Sequence, residues 1–168
     1  MKKGIILFLF LLLMVSGICF ADGFEIGVTG FVNLYEGDSL YGGGLNIAEI
    51  INFTNHFGLG FYGNIVYVPY EGIVLLPIDV LLGPAISVVN NDSFALPIAL
   101  GFYMQNTFAF GEGGSARAFT IGVGGNIGAE FKFSSTMHFY LRIQGAYTLL
   151  GSNEIVMAPS IGIGFKRQ

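Results

Sequence analysis

Residues 119–133, FTIGVGGNIGAEFKF, alternate without a break between two kinds of side chain. The odd positions form an apolar series: Phe119, Ile121, Val123, Gly125, Ile127, Ala129, Phe131 and Phe133. The even positions are small or polar, and only Glu130 and Lys132 among them are charged. Because successive side chains of a strand point to opposite faces, this period of two predicts a β-strand with one apolar and one polar face.

Seven further segments carry the same alternation, less cleanly in the second and fourth: 23–35, 40–51, 57–68, 73–89, 94–106, 138–150 and 155–165. Segment 73–89 is apolar enough to suggest a transmembrane helix, but Pro77, Asp79 and Pro84 favour a strand. Short polar turns separate the segments, and each segment is close to the ~9–11 residues of a tilted strand that crosses a bilayer. The sequence therefore predicts eight antiparallel strands.

The N-terminal segment MKKGIILFLFLLLMVSGICFADG has two lysines, an apolar run and small residues, the pattern of a secretory signal peptide. We expect cleavage after Ala21, which gives a signal peptide of residues 1–21 and a mature domain of residues 22–168. A retained anchor is the alternative, but the apolar run is short. Lipidation of Cys19 is disfavoured by Ile18, where a small residue is expected. Cleavage after Ala21 would leave the mature chain without cysteine.

Charged residues make up only 11% of the chain, where about 25% is usual, and hydrophobic residues make up 53%. Without Lys2 and Lys3, the chain keeps 11 acidic and five basic side chains, a net charge of −6. That charge disfavours nucleic acid as a partner.

Two kinds of eight-stranded barrel use this alternation in opposite senses. A soluble barrel turns its apolar face inward and needs a charged outer face, whereas a membrane barrel turns its apolar face to lipid. The polar face here consists mostly of Gly, Ala, Ser, Thr and Asn, which suits the narrow interior of an eight-stranded barrel and not a charged coat. We therefore predict an all-β, eight-stranded antiparallel up-and-down transmembrane β-barrel.

Aromatic residues collect at the predicted strand ends. Phenylalanines lie at one rim: Phe24, Phe57, Phe94, Phe139 and Phe165. Tyrosines lie toward the other: Tyr41, Tyr67 and Tyr147. Two such belts are typical of anchors at two bilayer interfaces, and ordinary core aromatics are the alternative.

Several ionisable residues fall on the polar face and are candidates for a polar network in the lumen: Glu25, Glu49, Asp79, Glu130, Lys132 and Arg142. Pairing of the sixth and seventh strands across FSSTM places Arg142 opposite Gly128 and diagonal to Glu130. An Arg142–Glu130 ion pair would plug the lumen, and a gated ion path is the alternative.

Catalysis and cofactor binding find little support. The two histidines, His56 and His138, are expected at one rim, where the nearby Ser134 and Ser135 are typical turn residues. We see no metal-ligand spacing and no phosphate-binding loop, so we expect no enzyme activity, no metal and no cofactor.

Acidic residues collect in the turns toward the tyrosine rim: Glu36, Asp38, Glu71, Glu112 and Glu154, with Arg117 as the one base. Such tips could bind divalent cations or a basic partner, but plain solvation is favoured.

The N-terminal segment, the eight alternating strands and the ending SIGIGFKRQ together resemble the small outer-membrane barrels of Gram-negative bacteria, the OmpA/OmpX type. The resemblance implies contact with outer-membrane lipid, periplasmic termini, a periplasmic phenylalanine rim and extracellular acidic loops. It also implies that the barrel-assembly machinery reads the C-terminal strand through Ile161, Ile163 and Phe165. That family ends on the aromatic residue, whereas KRQ follows Phe165 here. A structural or surface-interaction role is expected, with an unidentified surface ligand.

Overall fold

The computed structural model describes residues 23–35, 38–151 and 153–166. The expected signal peptide, with Cys19 and the cleavage site after Ala21, lies outside these residues, and so does Glu36. In the part that is described, no helix is long and apolar enough to cross a membrane.

Eight strands follow one another along the chain, as the alternation predicted. Their bounds are β1 (Gly23–Tyr35), β2 (Asp38–Asn52), β3 (Phe57–Tyr70), β4 (Ile73–Asn90), β5 (Phe94–Gly111), β6 (Gly114–Lys132), β7 (Met137–Leu150) and β8 (Ile155–Lys166). The β5–β6 hairpin is longer than predicted. Its outer part, from the pair Thr107↔Ala118 to the pair Gly111↔Gly114, lacks a clean alternation and is held by cross-strand pairing.

Each strand pairs antiparallel with the next, and β1 pairs with β8 to close the barrel. The closing seam joins Phe24 to Phe165 and Ile26 to Ile163, so that apolar residues face each other along it. Closure leaves every strand with two neighbours and removes the open sheet edges that would expose unpaired backbone groups.

The apolar face of the strands points outward. In β6, Val123 and Ile127 are 50% and 49% exposed. Asn126 and Glu130, at even positions of the same strand, are each only 4% exposed. Large apolar side chains are exposed on all eight strands, including Val28, Leu45, Ile65, Leu82, Phe102, Leu141 and Ile161. This exterior suits lipid, and the predicted all-β barrel is confirmed.

One acidic residue departs from the predicted facing. Glu49 was expected in the lumen, but it lies directly opposite Phe24 on β1 and Phe61 on β3, and therefore on the outer face. It is nevertheless only 8% exposed. The charge of Glu49 suggested the lumen, but its position in the alternation correctly indicates the outer face.

We call the end of the barrel where β1 begins the phenylalanine end. Its turns are stabilised by the same kind of side-chain hydrogen bond. Thr54 Oγ1, Asn91 Oδ1 and Ser134 Oγ each accept hydrogen bonds from backbone N–H groups two and three residues later. Side-chain acceptors of this kind stabilise tight turns in place of a longer loop. The opposite end of the barrel is the tyrosine end.

Candidate functional site in the barrel lumen

Charged residues meet inside the phenylalanine end. Arg142 on β7 places Nη2 2.5 Å from Glu25 Oε2 on β1, and His138 Nε2 lies 2.8 Å from Glu25 Oε1. Glu130 on β6 completes the group, with Oε2 4.0 Å from His138 Nε2 and 3.7 Å from Lys166 Nζ. All but Lys166 are buried. We call these five residues the ion cluster.

Arg142 is also held between two tyrosine rings. Its guanidinium carbon lies 4.8 Å from the centroid of the Tyr62 ring and 4.6 Å from that of Tyr140. Aromatic faces attract a cation most strongly where water is excluded, and both rings are fully buried. The two rings and Glu25 thus offset the free-energy cost of removing the Arg142 guanidinium from water.

A ring of hydrogen bonds crosses the lumen next to the ion cluster. Tyr140 Oη donates to Asn46 Oδ1 at 2.9 Å, and Asn46 Nδ2 donates to Asn64 Oδ1 at 2.8 Å. Asn64 Nδ2 and Gln144 Nε2 both donate to Asp79 Oδ1, at 2.8 and 2.9 Å. The ring starts and ends on β7 and passes through β2, β3 and β4, so it ties four strands together across the bore. We call these residues the amide ring.

Toward the tyrosine end, apolar side chains fill more of the lumen. We call Phe31, Val66, Val68, Ala146 and Val156 the apolar layer. Each is at most 7% exposed, and the polar Asn33 and Thr148, two residues further along β1 and β7 than Phe31 and Ala146, are buried as well. Eight strands enclose just enough space for side chains to fill, and here ions, amides and apolar groups together fill that space.

Each end of the barrel has a cavity among the described residues. The larger, about 420 Å³, opens at the phenylalanine end and reaches Glu25, Glu130 and His138. The smaller, about 150 Å³, lies at the tyrosine end beside Asn33 and Thr120. The two cavities share no lining residue, since the amide ring and the apolar layer separate them.

No family model matches the sequence, and no curated protein matches it. Solved structures do match. Neisserial surface protein A is 10% identical with a TM-score of 0.71, over 86% of this chain and 96% of that one. Ail, the attachment invasion locus protein of Yersinia pestis, is 15% identical with a TM-score of 0.67, over 86% and 97%, and is also solved with the heparin analogue sucrose octasulfate. OprG of Pseudomonas aeruginosa is 15% identical with a TM-score of 0.57, over 88% and 97%.

The chain has the fold of the small outer-membrane barrels. At these identities the likeness concerns the fold alone, so the contents of the lumen must be interpreted from this chain's own residues.

Apart from Glu49, the ionisable residues predicted for the lumen fall into three different places in the barrel. Glu25, Glu130 and Arg142 join the ion cluster, and Asp79 joins the amide ring. Lys132 belongs to neither, because its Nζ donates at 2.5 Å to Asn90 Oδ1 and to the backbone oxygen of Asn91 at the rim.

The predicted partner of Arg142 was wrong. Arg142 does lie opposite Gly128 as expected, but the carboxylate that it meets is Glu25 and not Glu130. Glu25 reaches Arg142 only because β1 closes on β8 beside β7, and this closure is not visible in any local pattern.

His138 lies deeper than predicted. It was assigned to the rim, whereas the residue is 2% exposed and lies in the ion cluster. The signal was present, since His138 shares the inward parity of Tyr140, Arg142 and Gln144 on β7. Ser134, near His138 in the sequence, uses its Oγ in the turn, where it accepts hydrogen bonds from the backbone N–H groups of Thr136 and Met137.

The predicted interface aromatics lie at the two ends, on the outer face. At the phenylalanine end Phe24 lies opposite Phe165 across the seam. The ring of Phe131 packs at a tilt against those of Phe139 and Phe94, with centroids 6.3 and 5.4 Å away. Phe57 packs against Phe53. The tyrosines Tyr41, Tyr67 and Tyr147 are 64%, 53% and 44% exposed, in the other half of the barrel.

Proposed function

We propose that the protein is an outer-membrane β-barrel with a structural or surface-interaction role, whose lumen is closed to ions. The observation that supports this most is the continuous filling of the bore. An ion passing from one end to the other would meet the ion cluster, the amide ring and the apolar layer in turn.

Moving the side chains that fill the lumen would cost free energy. Tyr62, Tyr103 and Tyr140 are at most 1% exposed, and Arg142 is 3% exposed. Moving Arg142 aside would separate a buried ion pair, which leaves a charge uncompensated. Opening the amide ring would leave Asp79 without its two side-chain donors. The lumen charges therefore act as a plug in this proposal, and a narrow channel is the alternative.

Planar-bilayer recording of the refolded protein tests the plug. We expect no discrete conductance steps from the wild-type chain, even though vesicle flotation shows that it has inserted. Steps whose size or selectivity changes in Arg142→Gln or Glu130→Gln, but not in the exposed control Arg117→Gln, would instead establish the channel.

The surface of the tyrosine end gives a limited indication of its partner. Glu71 and Glu112 are exposed in the turns there, and Arg117 is bonded to Asn106 Oδ1 through its Nε at 2.6 Å. Acidic tips repel polyanions, so we do not extend to this chain a ligand such as the heparin analogue bound by Ail. Solvation of the loops, or contact with a neutral or basic surface, fits these residues better.

An absence of catalysis is part of the proposal. His138 Nε2 contacts Glu25, and the nearby Ser134 is used by its turn, so the described residues do not assemble the nucleophile and base that a hydrolase needs. Lipid analysis of cells with and without His138→Ala checks this, and an altered lipid A or phospholipid pattern would contradict it.

We further propose the route to the membrane. Residues 1–21 would direct secretion and be removed, and Ile161, Ile163 and Phe165 on β8 would present the outward aromatic pattern that the barrel-assembly machinery reads. In support, all three side chains are exposed on the outer face. Fractionation should recover the mature chain in the outer membrane as a heat-modifiable band, and recovery in the soluble periplasm would overturn the proposal.

A further inference from the structure

We propose that Glu25, Glu130 and His138 form a binding site for a single zinc ion inside the phenylalanine end of the barrel. The three side chains come from β1, β6 and β7 and are 2%, 4% and 2% exposed. One ligand atom from each lies within 4.8 Å of the other two. The site is independent of whether the lumen conducts.

The spacing of the ligand atoms suits a small tetrahedral ion. Zinc binds imidazole nitrogen and carboxylate oxygen at about 2.0–2.2 Å, which places tetrahedral ligand atoms roughly 3.3–3.6 Å apart. His138 Nε2 lies 2.8 Å from Glu25 Oε1 and 4.0 Å from Glu130 Oε2. These two distances bracket the required separation, and all three ligand atoms lie within 4.8 Å of one another, so movements of about 1 Å would complete the site.

Glu130 supplies a second observation that points to a cation. Its carboxylate is buried, yet among the described residues it accepts no hydrogen bond. Its nearest positive groups are Lys166 Nζ at 3.7 Å and His138 Nε2 at 4.0 Å. A carboxylate with so little exposure is normally hydrogen-bonded, hydrated or bound to a metal. This one borders the cavity beside His138 and Glu25, where a cation can reach it.

The surrounding charges leave room for the ion. Arg142 Nη2 contacts Glu25 Oε2, which leaves Oε1 to His138 Nε2. Zinc would take the place of the proton that these two ligand atoms share, and that proton would be released to water. Lys166 is 34% exposed at its side chain and can turn to solvent when a cation replaces it beside Glu130. Two carboxylates and a neutral imidazole then offset the two charges of a zinc ion, and Arg142 leaves the group with one net positive charge.

The backbone also makes space for the ligand histidine. Gly164 on β8 lies opposite both His138 and Glu25, and a Cβ added at Gly164 would collide with Cε1 and Nε2 of the His138 ring. The ring can therefore lie flat over β8 with Nε2 toward the carboxylates. Its Nδ1 has no hydrogen-bond partner among the described residues, so the ring is free to make the small adjustment that coordination needs.

An entry path and a fourth ligand are both available. The cavity of about 420 Å³ opens at the phenylalanine end and is lined by all three proposed ligands. Water from this cavity would take the open coordination position, as in zinc sites with three protein ligands. Calcium and magnesium prefer all-oxygen ligand sets, so the imidazole makes the site selective for zinc over both.

Titration calorimetry of the folded, tag-free mature chain in detergent tests the site. We expect one zinc ion per barrel for the wild type, with calcium giving no heat above dilution. Only two histidines occur in the chain, which supplies a matched control. His56→Gln changes the one in an exposed turn and should bind zinc as the wild type does, whereas His138→Gln and Glu130→Gln should each weaken binding at least tenfold.

Heat-modifiable migration of each variant shows whether its barrel has folded. Glu130→Gln removes no hydrogen bond among the described residues, so it should fold even where His138→Gln does not. Imidazole ¹⁵N spectra of His56→Gln isolate His138 in a folded barrel, and zinc should shift its Nε2 signal. Absence of saturable zinc binding in the wild type, an unmoved His138 signal, or unchanged affinity in folded Glu130→Gln would each overturn the proposal.

Discussion

At the scale of single residues, Arg142 holds the centre of the lumen. It makes an ion pair with Glu25 and lies between the rings of Tyr62 and Tyr140. A buried ion pair adds little net stability over an apolar pair, but the loss of one partner is severe because the other charge stays buried. The residue is therefore expected to be far more sensitive to truncation than any exposed arginine.

We expect Arg142→Ala to lower the free energy of unfolding by about 3–5 kcal/mol, since it leaves the Glu25 carboxylate uncompensated in the lumen. Arg117→Ala is the matched control. Arg117 is exposed beside Phe108, and its truncation should change the free energy by no more than about 0.5–1 kcal/mol. Urea titration of the refolded barrels in vesicles measures both, and equal losses would contradict the account of the ion cluster.

At the scale of elements, the sequence predicts which residues face each other on strands that follow one another in the chain. The alternation in β6 and the short turn after it were enough to place Gly128 opposite Arg142, as observed. The partner of Arg142 could not be predicted in this way, because Glu25 on β1 approaches β7 only through closure of the barrel. Glu49 was predicted wrongly for another reason. Its charge suggested the lumen, whereas its position in the alternation places it on the outer face between Phe24 and Phe61.

The two ends of the strands should differ in where they lie relative to the cell. An epitope inserted between Glu112 and Gly113, at the tip of the long β5–β6 hairpin, should be tolerated, because no Cβ at Gly113 would meet a neighbouring atom. If the tyrosine end is extracellular, antibody will label intact cells that carry this insertion. The same epitope after Asn55, in a turn of the phenylalanine end, should be labelled only after the outer membrane is opened. The reverse pattern would invert the proposed orientation.

At the scale of the whole molecule, the protein reverses the usual placement of polar and apolar groups. Its lumen buries Glu25, Asp79, Glu130 and Arg142. Its outer wall exposes large apolar side chains on every strand. A charged fraction of 11% is too small to coat a barrel in water, but it suffices where only the ends and the lumen are polar. The zinc site and the plug both depend on this arrangement.

The most direct test of that arrangement is the environment of a single tryptophan, because the chain contains none. In Ile127→Trp, at an outward position of β6, we predict that brominated phospholipid quenches the emission and aqueous acrylamide does not. Asn55→Trp, in an exposed turn, should show the opposite response. Quenching of Ile127→Trp by acrylamide, or protection of it from both reagents in a folded barrel, would show that the apolar face does not meet lipid.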